Sequence, residues 1–101
     1  MASEPKHPCR TPAEGRDGAT NVPVWKFEVV RDAILNAVTA ASADGIAFEE
    51  VREAVRDRLS PETLAKLGSL GWHITTIKLE MEVARDVRRM AAKSPQRLVL
   101  A

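Results

Sequence analysis

The chain has 101 residues, 45% of them hydrophobic and 29% charged, a size and balance that fit one small soluble globular domain. Its formal net charge is +1, so no global field draws it to nucleic acid or to a membrane surface. Cys9 is the only cysteine, which rules out an intramolecular disulfide and any cysteine-based metal cluster.

Residues 1–22 carry Pro5, Pro8, Pro12, Gly15 and Gly18 with few large apolar side chains, and are expected to form a flexible N-terminal arm. His7 and Cys9 stand two apart within it, too few ligands for a metal site without a partner's help. The start of the chain lacks the basic and then apolar run of a signal peptide, and nowhere do about 18 apolar residues follow one another. A cytoplasmic location and no membrane partner are the expectation.

Residues 23–101 read as a single domain. Pro23 suits the first turn of a helix, where its missing N–H costs nothing. Phe27, Val30, Ile34, Ala37, Val38 and Ala41 then recur at helical spacing, with Trp25 and Val29 forming a second apolar flank. Asp44-Gly45 ends this helix and Ile46 enters a brief edge strand. Phe48, Val51, Val55 and Leu59 are the buried stripe of a second helix, whose Glu49, Arg52, Glu53, Arg56 and Asp57 make a solvated face. Ser60-Pro61 caps and starts a short third helix carrying Leu64 and Leu67, and Gly68 stops it.

The stretch from Gly71 to Ala84 organises the rest. At 100° per residue, Leu70, Ile74, Ile77 and Met81 share one narrow sector, the core face of a helix. Thr75, Lys78 and Glu82 on one flank, and His73 and Glu80 on the other, are expected in solvent. The opposite sector holds Trp72, Thr76, Leu79 and Val83, so the helix has a second apolar face that calls for a second packing partner. Trp72 either packs beneath the third helix or the N-terminal arm, or anchors an interface.

Two short β-prone runs, Asp86 to Met90 and Gln96 to Leu100, bracket a loop with Ser94 and Pro95 and read as a hairpin. Val87, Leu98 and Leu100 are expected to cover the helix. Arg85, Arg88, Arg89, Lys93 and Arg97 against Asp86 give this tail +4 of the total +1, leaving −3 for residues 1–84. The fold class is therefore mainly α with a small C-terminal β-hairpin.

In this order, helix, edge strand, helix, helix and hairpin resemble a winged helix-turn-helix. The run from Ile74 to Glu82 and on through Val87-Arg88-Arg89 is similar to the recognition helix and first wing strand of bacterial winged-helix repressors. From Val24 to Leu100 the chain also resembles, loosely, a group of small uncharacterised bacterial proteins of this architecture. The resemblance implies a DNA-binding regulator: His73, Thr75 and Thr76 would approach base edges of double-stranded DNA, and Arg88, Arg89, Lys93 and Arg97 would contact phosphates.

The residues themselves also support a different class. The would-be recognition helix has Lys78 against Glu80 and Glu82, net acidic beside a polyanion, and its outer face is apolar. A protein-interaction module or homodimer using Trp25, Trp72, Leu79 and Val83 is the alternative. An enzyme is not expected, since no glycine-rich phosphate loop, metal-spaced cluster or nucleophile-histidine motif occurs, and no cofactor is implied.

Overall fold

The computed structural model describes residues 5–11, 15–41, 45–90 and 97–101. Four helices are the frame: α1 (Val24–Ala40), α2 (Phe48–Asp57), α3 (Pro61–Leu67) and α4 (Leu70–Val83). β1 (Lys6–Thr11) and β2 (Gly15–Pro23) precede them, β3 (Ile46–Ala47) joins α1 to α2, and β4 (Val87–Arg89) and β5 (Arg97–Leu100) follow. The fold is mainly helical with two small antiparallel sheets, one of β1 and β2, the other ordered β3-β5-β4.

The helical stripes place the core as expected. Phe27, Val30, Ile34, Ala37 and Val38 of α1, Val51 and Val55 of α2, and Leu70, Ile74, Ile77 and Met81 of α4 are buried, while Phe48 and Leu59 pack against this cluster half-buried. Removing such side chains from water is the main stabilising contribution, of order 2 kcal/mol for each large residue. The acidic and basic side chains of α2 point to solvent, and Arg56 pairs with Glu53 at 3.1 Å.

Local chemistry sets the helix ends. Ser60 Oγ accepts from the Thr63 amide at 3.1 Å and Ser69 Oγ from the Trp72 amide at 3.2 Å, capping α3 and α4. Gly68, with φ 88°, lets the chain turn between them. At the other end of α4 the Asp86 amide donates to Met81 O at 2.8 Å and the Arg85 amide to Glu82 O at 3.2 Å. This is the paired 6→1 and 5→2 closure that usually has glycine in the left-handed position. Here Arg85 occupies it, with φ 66°.

The C-terminal strands form the expected hairpin, with Val87 opposite Leu100 and Arg89 opposite Leu98. Ile46 is indeed at an edge, paired with Leu98. Val87 and Leu98 are buried, but Leu100 is 47% exposed, contrary to the expectation that it covers the helix. The turn expected at Ser94-Pro95, with Lys93, lies outside the described residues.

The largest departure is at the N-terminus. The expected arm is, in its described part, a hairpin: Lys6 pairs with Pro23, His7 with Val22 and Cys9 with Thr20. Cys9 and Val22 are fully buried, His7 stacks on Phe27 with ring centroids 3.8 Å apart, and Val24 N–H donates to Pro5 O at 2.9 Å. The segment builds no core of its own; it closes over one supplied by α1 and α4.

Candidate functional site

Around α4 the structure distributes four surfaces. One is the core stripe already described. The second, carrying His73 and Glu80, is buried rather than solvated as its polarity suggested, and β1 lies against α4 and reaches Glu80. The ladder of β1 and β2 shifts register between Cys9 and Thr11, which frees the Arg10 amide at that irregularity. The amide donates to Glu80 Oε1 at 2.8 Å, and the Arg10 guanidinium forks onto the same carboxylate, Nε to Oε1 at 2.8 Å and Nη2 to Oε2 at 2.5 Å. Three charge-assisted bonds on one carboxylate are a strong clamp.

The Glu80 side chain is only 3% exposed. Burial pushes its carboxyl pKa up, but the hydrogen bonds and charge of Arg10 outweigh burial and hold it below the ordinary carboxylate value. Burial, with the Glu80 charge adding to it, pushes the Cys9 thiol to about 11. Near neutral pH that thiol is protonated and serves as packing, not as a nucleophile. His73 is 7% exposed; its Nδ1 lies 2.6 Å from Ser69 O and its ring meets Trp72 edge to face.

The third surface is a network at the junction of α2, α4 and β4. Glu82 accepts from Lys78 Nζ at 3.0 Å and from Arg89 Nε at 2.6 Å, and both cations lie over the Phe48 ring, at 4.3 and 5.4 Å from its centroid. Burial lowers the Lys78 pKa against the opposing pull of Glu82. Lys78, expected in solvent, is thus a buried member of a paired cluster.

The fourth surface faces outward. Trp72 is 47% exposed, and Thr76, Leu79 and Val83 on the same sector are half-buried. The cover expected for the indole from α3 or the N-terminal arm is thus at most partial among the described residues. Trp25, 38% exposed, opens a shallow cleft with Glu62, Thr63 and Lys66 of α3, and the neighbouring Lys26 Nζ ties α1 to the end of α3 through Leu67 O at 3.1 Å. The two tryptophans therefore border α3 and its exit into α4, and neither is core.

The residues expected at DNA separate. Thr75 and Arg88 are exposed and Thr76 half-buried, His73 is buried against the Ser69 carbonyl, Arg89 is held by Glu82, and Arg97 Nη1 donates to Gly45 O at 3.1 Å. Lys93 lies outside the described residues. Those among the described residues do not form one free cationic strip. Arg10, Glu80 and Glu82, which position α4, escaped the sequence reading. Their partners are 70 and 7 residues away, and only the period-2 placing of His7 and Cys9 hints that this stretch has an inward face.

A family of unknown function, DUF6958, matches residues 6–98, from the first residue of β1 to Leu98 in β5. The chain belongs to this family. No curated protein and no solved structure matches the chain. The family match takes in the N-terminal hairpin together with the helices and the second sheet. Among the described residues no group of three or more His, Cys, Asp or Glu is placed to hold a metal ion, and no helix is long and apolar enough to cross a membrane.

Proposed function

We propose that this chain is an interaction module of winged-helix type that pairs with a second copy of itself through the outward face of α4. The order α1, β3, α2, α3, α4, β4, β5 with the sheet β3-β5-β4 supports the winged-helix reading. The observation that carries the interaction is the half-exposed indole of Trp72 in line with Thr76, Leu79 and Val83. That stripe contains no charge. An uncharged apolar stripe is self-complementary across a two-fold axis, whereas a charged one meets its own sign, and tryptophan is the residue most enriched among interface anchors. Sedimentation equilibrium of the wild type and of Trp72→Lys tests this. A dimer in the first and a monomer in the second is expected; a monomeric wild type at high concentration overturns it.

DNA binding is the second reading, favoured by the exposure of Arg88 and Thr75 and by the +4 balance of residues 85–101. It requires that a labelled random duplex bind at low salt, with affinity falling steeply as salt rises. Absence of binding at low salt removes it. Since Arg89 and Arg97 already have intramolecular partners, fewer phosphates would be neutralised than the number of basic residues suggests.

A further inference from the structure

Between α2 and α4 lies a cleft of about 360 Å3 lined by Phe48, Val51, Arg52, Ile74, Thr75 and Lys78, within the size range of small-ligand sites. Val51 and Ile74 are buried and Phe48 is half-buried, which makes the inner wall apolar. Its cations are not equivalent. Lys78 is already neutralised by Glu82, whereas Arg52 has no hydrogen bond or ion pair among the described residues.

That isolation is informative because α2 offers Arg52 a carboxylate. Glu49 precedes it by three positions, a spacing that pairs readily on a helix, and Glu53–Arg56 pairs at that spacing one turn later. The Arg52 guanidinium instead lies against the first turn of α4, where a Cβ on Gly71 would stand 3.7 Å from its central carbon. The exposed guanidinium stands at the mouth of an apolar cleft with no hydrogen-bond partner among the described residues, and the Thr75 side chain also lines that cleft.

We propose that this cleft binds a small aromatic monocarboxylate, its carboxylate on Arg52 and the Thr75 hydroxyl and its ring against Phe48 and Ile74. A guanidinium presents parallel donors to a carboxylate, and the inner wall rewards an apolar body. Glu49, also lining the cleft, repels a second negative charge, so a monoanion is preferred to phosphate. The site is independent of the outward face of α4 and of any dimer formed there.

The test is titration of the full chain with benzoate, followed by amide chemical shifts at Gly71 and Thr75, beside acetate and inorganic phosphate. Saturable shifts with benzoate, weaker for acetate and for phosphate, are expected. Arg52→Ala should weaken benzoate at least about tenfold, and Arg56→Ala, the same charge change elsewhere on α2, should not. Thr75→Trp, at an exposed position, should fill the mouth and abolish binding. Arg52→Gln serves should the alanine variant fail to fold. No saturable shift with benzoate, phosphate binding as tight as benzoate, or unchanged affinity in the Arg52 variant would each overturn the proposal.

Discussion

Two hairpins lie against α4, and they are held in different ways. The C-terminal pair β4 and β5 is attached chiefly by apolar side chains, Val87 and Leu98, sunk into the core, with the Arg89–Glu82 pair at its exposed edge. The N-terminal pair β1 and β2 buries Cys9 and Val22 but also depends on the fork of Arg10 onto Glu80. Apolar burial carries no titrating group, whereas the clamp on the buried Glu80 carboxylate does, so one sheet is chiefly an integral part of the core and the other is a clasp with a titratable catch.

The sharpest way to break that contrast is to weaken each attachment in turn. Leu98→Ala, in a fully buried position, should cost about 2–5 kcal/mol and lower the thermal midpoint of the whole molecule in one transition. Glu80→Ala should have a smaller effect on the midpoint yet remove amide-exchange protection over the described part of residues 6–23. Equal losses in the two variants would mean that the clasp is as integral as the wing.

The pH dependence sharpens it further. The folded pKa of Glu80 is depressed, so its contribution is fully present above the unfolded carboxyl value of about 4.3 and is lost as pH falls through the folded value. Acid titration of exchange protection in β1 should show that loss in the wild type and not in Glu80→Gln. A flat acid limb in both would remove the ionic catch.

Smaller effects separate the arginines of the C-terminal ribbon. Arg88→Ala, at an exposed position, should stay within about 0.5 kcal/mol of wild type, while Arg89→Ala, which strips Glu82 of one of its two cations, should lower the thermal midpoint measurably more. Identical midpoints would leave the Glu82 network without a stabilising role. The smallest expected change is a gain: Arg85→Gly relieves a left-handed backbone position. After the greater unfolded-state freedom of glycine is subtracted, a net stabilisation of roughly 0.5–1 kcal/mol remains, readable as a higher midpoint in denaturant.

The helices were legible because their signals are local. Ser60-Pro61 marks its own helix start, Gly68 its end, and Ile74, Ile77 and Met81 declare a core face by spacing alone. The surroundings of α4 were not legible in the same way. His73, Lys78 and Glu80 have the composition of a solvated flank, and tertiary packing turns them inward, with β1 meeting Glu80 and Phe48 meeting Lys78. A sequence window on α4 contains no trace of a carboxylate's partner 70 positions earlier.

What the sequence determined by itself was the set of helices, their buried stripes, the C-terminal hairpin and the anomaly of an apolar outer face on α4, since each follows from periodicity and capping within a few turns of chain. Tertiary structure alone decided which polar residues are buried, that Trp72 stays half-exposed, and that Lys6–Thr11 and Gly15–Pro23 pair as a sheet. The reason is energetic: a polar stretch too poor in apolar side chains to fold alone becomes ordered only when another element supplies both the surface it covers and the counter-charge it needs.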